Sequence, residues 1–351
     1  MIPVFDGHND FLQRLVAAPP EQRGALWHIG DGTGHLDLAR MKSGGFAGGF
    51  FAIWIPLEAA GKPGRDTVLQ FSNPPYRLEP SPEIACDAAL PHAFEQAAAL
   101  MALERTGTLT VCRDAAMIDT AMSAGRIAAI MHMEGSEAIA DMDALHLWHA
   151  AGLRSLGLVW SRPTRYAHGV PFAFPSSPDI GDGLTPAGYD LVRECNALRI
   201  MIDLSHLNEK GMDDVARLST APLVASHSCA HAIAPSSRNL TDRQLHQIRD
   251  SGGLVGLNYA VNFLRPDARR EPFSGFDPIL RHLDHLLGIL GEEGVALGSD
   301  FDGAVMPADL ADAAALPGLI EAMRAHGYDE PLIERIAWRN WVELLRRIWG
   351  G

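Results

Sequence analysis

The strongest constraint on the fold is where the hard, polar residues fall. His8 and Asp10, Glu134, His206 and His227 each stand where an apolar, strand-like run ends. In the stretch Ile-Pro-Val-Phe-Asp-Gly-His-Asn-Asp, residues 2–10, such groups sit just where a buried strand should meet its loop. One such ending is common. Four of them, spread over more than two hundred residues, call for strands that converge on one point in space. A barrel of parallel strands does this, because every strand delivers its C-terminal end to a single face, where active sites lie. The pattern therefore predicts a metal-dependent enzyme.

Eight runs rich in Val, Ile, Leu and Phe read as strands: 3–6, 48–55, 128–133, 155–159, 200–204, 223–226, 253–258 and 295–298. Continuous apolar runs of this kind fit strands buried on both faces. Helical patterns lie between most of them, at 84–105, 185–197, 241–250, 278–290 and 331–349. Thr241-Asp-Arg-Gln244 reads as a capped helix start. Strands alternating with helices mean a parallel sheet, so the class is α/β and the expected architecture a closed (β/α)8 TIM-type barrel. An open doubly wound sheet is the alternative, but no Gly-rich phosphate fingerprint follows any strand. At 351 residues the chain fits one large barrel, and with no repeats, charge blocks or low-complexity linkers a single domain over 1–351 is expected. Two long loops rich in Pro and Gly, 61–82 and 161–184, would hang over the C-terminal face as substrate-shaping walls.

The formal charge of −14 argues against nucleic acid, whose binding needs a basic footprint. No run reaches membrane-spanning length, and no basic segment followed by an apolar stretch opens the chain. Cys86, Cys112, Cys195 and Cys229 are far apart and form no CxxC pair. Reduced core thiols and a cytoplasmic location are expected, with no membrane partner.

Residues two apart on a strand point the same way, so His8 and Asp10 can reach one ion together if strand geometry persists through Asn9. Glu134 precedes Gly135, which lets the chain leave the strand sharply, and its two oxygens could bridge two ions. Imidazole and carboxylate ligands suit Zn²⁺ or another borderline divalent ion. Two ions sharing a carboxylate would lie roughly 3.5–4 Å apart. Asp300 ends the eighth run and could take a proton from an attacking water. Its rival Asp302 reads as a turn or supporting group, Asp203 as structural or ligand-orienting, and His132 as a possible support for Glu134. His146, His149, His246, His282 and His285 fall in helical stretches and read as surface or packing residues.

Asp6-Gly-His-Asn-Asp10, Met133-Glu-Gly135, Asp203-Leu-Ser-His206, Ser226-His-Ser228, Ser237-Arg-Asn239 and Gly298-Ser-Asp-Phe-Asp-Gly303 run in one order along the chain. In that ordered set, and in the closing Trp338-Arg-Asn-Trp-Val-Glu-Leu-Leu, the sequence resembles the membrane dipeptidase (renal dipeptidase) family of zinc metallopeptidases, as a soluble bacterial-type member. The resemblance implies a (β/α)8 barrel with two zinc ions that cleaves dipeptides through a metal-bridging hydroxide. It assigns His8 and Asp10 to one zinc, His206 and His227 to the other, and Glu134 to both. Asp300 matches the family's acid/base carboxylate, and Arg238 the residue that grips the substrate's C-terminal carboxylate. From the residues alone, an Arg after Pro-Ser-Ser reads as a surface residue. Trp160 departs from the family, whose best-known members carry a His there that contacts the scissile carbonyl. A Trp N–H can donate one hydrogen bond but cannot titrate; the other candidate donor is His168, from the loop. The alternatives are an N-acyl-amino-acid or cyclic-amide hydrolase on the same site, and a catalytically idle binding barrel. Trp341 and Trp349 could serve a homodimer, with packing on the barrel the expectation.

Overall fold

The computed structural model describes residues 1–61, 73–79 and 81–350. Eight parallel strands follow one another in chain order around a barrel: Val4–Asn9 (β1), Phe46–Trp54 (β2), Ile127–Glu134 (β3), Leu153–Gly157 (β4), Met201–Asp203 (β5), Val224–Ser228 (β6), Leu254–Leu257 (β7) and Val295–Leu297 (β8). Each predicted strand run overlaps one of them. The seam between β8 and β1 is a single bridge, Asn9 to Phe301. It is flanked by the bonds Asp300 N–H to His8 O at 3.0 Å and Asp10 N–H to Phe301 O at 2.8 Å. These bonds stitch the two carboxylates at positions 10 and 300 to opposite sides of one joint.

Leu109–Val111 is a further strand, paired with the N-terminal part of β3. At three residues it is too short to carry a periodic signal. Tyr76–Arg77 and Ala173–Phe174 form an antiparallel pair that ties the two long loops together. Residues 62–72 and 80 of the first loop lie outside the described residues.

The barrel interior is stratified, and the period of two along β3 explains how. Ala129, Met131 and Met133 join the apolar layer beneath the surrounding helices. Ala128 and Ile130 point the other way, into a plug with Phe5, Phe50, Met201, Val224, Leu254, Ala296 and Trp341. Above the plug lies a polar stratum, in which His132 Nδ1 meets Ser155 Oγ at 2.8 Å and Ser299 N–H donates to Asp6 at 2.6 Å. Glu134, next on the same face of β3, emerges at the mouth. Trp341 enters from below, fully buried, and donates its indole N–H to Leu297 O at 2.8 Å. Gly7 is required by this approach, since a Cβ there would stand 2.6 Å from the Trp341 ring.

The expected capped helix is Asp242–Asp250, with the reciprocal Thr241–Gln244 capping box. The closing stretch differs from the single helix expected: Glu330–Glu334 and Asn340–Trp349 are α-helical, and Arg335–Arg339 between them is a π-helical turn. The wider turn accompanies the burial of Asn340, which donates to Glu292 O and Val295 O at 2.7 and 2.8 Å, and of Trp341 beside it. Trp341 and Trp349 are 0% and 6% exposed, so both pack on the barrel. Cys112, Cys195 and Cys229 are buried, and all four cysteines are unpaired. Among the described residues no helix is long and apolar enough to cross a membrane.

Candidate metal centre

Three imidazole nitrogens converge on one carboxylate oxygen. Glu134 Oε1 lies 3.1 Å from His206 Nε2, 3.4 Å from His227 Nε2 and 3.7 Å from His8 Nε2. His206 Nε2 and His227 Nε2 are themselves 3.2 Å apart, and the rings of His8 and His227 stack at 3.8 Å. Asp10 Oδ2 stands 3.6 Å from His8 Nε2. The donor atoms fall into two overlapping groups, His8 with Glu134 and His227, and His8 with Asp10 and Asp300. The sequence-predicted ligands are thus all brought together at the barrel mouth.

Local backbone features aim each of them. Gly135, at φ 89°, turns the chain away directly after Glu134. Register shifts in the β1–β2 and β6–β7 ladders mark bulges before Asn9 and at Ser226–His227. Such bulges re-aim side chains, so both Ser226 and His227 face the interior. His206 and Asp300 occupy the left-handed region at φ 68° and 62°, a costly conformation for residues with a Cβ. Their carbonyls are pinned from outside, His206 O by Val170 N–H at 2.8 Å and Asp300 O by Gly303 N–H at 3.1 Å. Strand geometry persists through Asn9, the condition set for His8 and Asp10 to meet, with a bulge before it. β1 ends at Asn9 and Asp10 is the N-terminal cap of the helix Phe11–Ala17, yet the turn still brings Asp10 to His8.

The imidazoles are oriented by hydroxyls. His206 Nδ1 pairs with Ser161 Oγ at 2.7 Å, and His227 Nδ1 with Ser226 Oγ at 2.8 Å. Ser226 Oγ in turn donates to Asp203, which also accepts the amides of Ser205 and Ser226 at 3.0 and 2.8 Å. His132 faces Asp203 across 3.6 Å from the far side. A hydroxyl that accepts from Nδ1–H fixes the tautomer whose free Nε2 lone pair faces the carboxylate, the arrangement a metal-ligating histidine needs. Asp203 and His132 thus act as supports for the site. Asp302 serves structure: it accepts the His35 amide at 2.6 Å and faces Arg14 at 3.6 Å.

The electrostatics suit a bound cation. Burial pushes the Glu134 carboxyl up to about 8. Burial and then the neighbouring Asp10 carry Asp300 to about 6. Burial opposes a charge on His8, but Glu134, Asp10 and Asp300 together raise it to about 10. Burial and nearby cations hold His206 and His227 well below their ordinary value, as neutral lone-pair donors. Both ring nitrogens of His8 are buried without a hydrogen-bond partner among the described residues. Orphaned nitrogens of that kind, aimed at carboxylates, are what a bound divalent cation satisfies, and the N/O donor set fits zinc.

Arg238 corrects the surface reading of its local sequence. It is 3% exposed, donates to His227 O at 2.7 Å and Ser228 Oγ at 2.9 Å, and keeps a buried, unpartnered Nε. Asp300 is steadied by Asn258 Nδ2 at 2.9 Å, a support that sequence reading missed. Trp160 lies beside His206, ring centroids 5.8 Å apart and tilted by 33°. His168 stands beside Gly181 and its carbonyl accepts the Asn208 amide. Ser161 and Asn258 gave no distinctive signal, and Ser226 stood only as part of the Ser226-His-Ser228 motif, because a single hydroxyl or amide acquires its role only from its neighbours in space.

The model of the membrane dipeptidases, peptidase family M19, matches residues 1–349. A solved metallo peptidase from Rhodobacter sphaeroides, liganded with a phosphinate mimic of the dipeptide L-Ala-D-Ala, is 58% identical, with 99% of each chain covered and a TM-score of 0.96. The solved dipeptidase AC, a metallo peptidase, is 59% identical over 100% of this chain and 99% of its own, at a TM-score of 0.95. Among curated relatives, an uncharacterized protein in the pqqA 5' region of Klebsiella pneumoniae is 47% identical over 69% of this chain and 90% of its own. With barrel, converging donors and whole-chain similarity in agreement, the chain belongs to the membrane dipeptidase family, peptidase family M19, hydrolases that act on peptide bonds.

Proposed function

We propose that this protein is a binuclear zinc dipeptidase. The observation that carries the reading is the convergence of His8, His206 and His227 on Glu134 Oε1, with Asp300 and Arg238 beside them. His8 and Asp10 would hold one zinc, His206 and His227 the other, and Glu134 both. Bound there, zinc supplies Lewis acidity that polarises a carbonyl and lowers the pKa of water towards neutrality.

The chain's own groups do the rest. Asp300, pushed up to about 6, is basic enough to take a proton from the attacking water and acidic enough to return it to the leaving amine. Asn258 holds one of its oxygens, leaving the other for the water. Arg238 is locked in plane by two hydrogen bonds, and a guanidinium pairs with a carboxylate through parallel hydrogen bonds. A carboxylate fixed that close to the reacting centre leaves room for one residue on that side, which favours dipeptides over longer chains. Trp160 offers one N–H donor towards the carbonyl. Because the site residues run from His8 to Asp300, we read the chain as one functional domain. Its unpaired thiols suit a reducing, cytoplasmic setting.

A panel of dipeptides, tripeptides and N-acyl amino acids, offered to zinc-reconstituted protein, tests the reading. Dipeptides are expected to be cleaved and tripeptides spared. Cleavage of N-acyl amino acids with dipeptides untouched would transfer the site to amide hydrolysis of another class.

A further inference from the structure

Four aromatic rings form an arc on one side of the candidate centre. Trp54, the last residue of β2, meets Trp160 edge-on at 5.4 Å. Trp160 meets Phe172 edge-on, also at 5.4 Å, and Phe172 lies parallel to Phe263 at 6.2 Å. Trp160 and Phe172 both touch the His206 ring, at 5.8 and 6.2 Å. The arc ends where the Arg238 guanidinium sits over Phe263 at 5.8 Å. The remaining groups of the centre are polar: Asp10 and Asp300 lie by His8, and Asn258 donates to Asp300.

The arc is held rigidly from behind. Arg162 is fully buried, with its guanidinium 5.7 Å from the Trp54 ring and 5.3 Å from the Trp160 ring. Its Nε donates to Glu137 at 2.5 Å and a terminal nitrogen to Ile55 O at 2.8 Å. A buried ion pair is weak evidence for stability, because desolvating both charges offsets their attraction. Its clear structural effect here is to fix both indoles. Yet Trp54, Trp160 and Phe172 are only partly buried, unlike Arg162 behind them. Rigid, partly open aromatic surface beside a few convergent polar groups is the make-up of a ligand subsite.

We propose that Trp54, Trp160, Phe172 and Phe263 form an apolar subsite for the side chain of the substrate's C-terminal residue, so that dipeptides ending in a bulky apolar residue are the substrate class. The inference rests on the dipeptidase reading, because it takes the substrate carboxylate to be anchored at Arg238. That anchor puts the adjacent Cα, and hence the side chain it carries, beside Phe263 and Phe172. Arg162 is then a positioning residue, acting through the two indoles.

The test compares kcat/KM for Ala-Phe, Ala-Leu, Ala-Ala and Phe-Ala in the zinc-loaded wild type, Trp160→Ala, Trp160→Phe and Phe172→Ala. Wild type should favour Ala-Phe and Ala-Leu over Ala-Ala by about tenfold or more, the scale on which apolar pockets discriminate. Trp160→Ala and Phe172→Ala should reduce the Ala-Phe to Ala-Ala ratio by about tenfold, whereas Trp160→Phe should keep it within about threefold. The ratio is internal to each variant, so a loss of folded protein does not move it. An unchanged ratio in both alanine variants, or a preference carried by Phe-Ala instead, would overturn the subsite. Should dipeptides resist cleavage while N-acyl amino acids are hydrolysed, the dipeptidase reading fails by itself. The N-acyl-Phe to N-acyl-Ala ratio then decides the subsite in the same way.

Discussion

Replacing Ser226 by Ala should weaken metal binding without dismantling the barrel. The hydroxyl lies between His227 Nδ1, at 2.8 Å, and the Asp203 carboxylate, in a fully buried position. Truncation leaves the Nδ1–H of His227, a residue 1% exposed, with no acceptor at the site. Asp203 keeps its two amide donors, from Ser205 and Ser226, so the carboxylate itself stays satisfied. A buried donor without a partner costs about 1–3 kcal/mol. At about 1.4 kcal/mol per tenfold, this translates to a loss of roughly 5- to 150-fold in zinc affinity, as for other groups that orient metal ligands. The cost falls on binding because an imidazole freed from Ser226 can turn its ring away from Glu134. Competition with a chromophoric chelator measures it directly, with Ser219→Ala, a site remote from the cluster, as control. Zinc affinity within twofold of wild type would refute the argument that Ser226 orients His227.

Asp300→Asn should retain both metals and lose most turnover, because an amide cannot shuttle the proton; metal-replete protein with near wild-type kcat would remove Asp300 from the mechanism. In Gly303→Ala the new Cβ would overlap both the Asp10 and Asp300 carboxylates, so activity should fall by at least tenfold while far-ultraviolet circular dichroism stays native, and unimpaired kinetics would contradict that packing. His282, buried and held at about 4 against an ordinary 6.5, accepts the Ala230 amide through Nδ1 at 3.0 Å and so must stay neutral. Its folded value is depressed, so the unfolded chain binds its proton more readily and the stabilisation is complete above pH 6.5 and lost as pH falls towards about 4. The difference amounts to about 3 kcal/mol. Urea unfolding should therefore show the advantage of wild type over His282→Gln shrinking by that order between pH 7 and pH 4, and a pH-independent advantage would count against the assignment.

The barrel was legible because its strands are buried on both faces and end in polar residues that have no reason to be there structurally. The donors at His8, Glu134, His206 and His227 carried the same signal, since each stands where an apolar, strand-like run ends. Asp10 was found through the two-residue spacing from His8, and β1 does run through Asn9; the bulge before Asn9 and the helix cap at Asp10 are not written in a period-two pattern. Arg238 was invisible to local reading, because the acceptors that make its burial tolerable come from β6, ten residues and more upstream. Only the ordered motif set singled it out. Trp54, Phe172 and Phe263 were hidden for the opposite reason, as an aromatic residue beside a strand end reads as core until its open face is seen. The π-helical turn within 331–349 escaped notice because it follows from the fit of Asn340 and Trp341 to the barrel floor, a tertiary demand.

The most direct test of the central claim is a zinc titration of chelator-stripped protein, with elemental analysis and hydrolysis of Ala-Phe followed together. Activity should rise to its maximum as the second equivalent binds, and Glu134→Gln should depress the binding of both. Full dipeptide turnover by metal-free protein, or with one equivalent bound and no gain from a second, would contradict it.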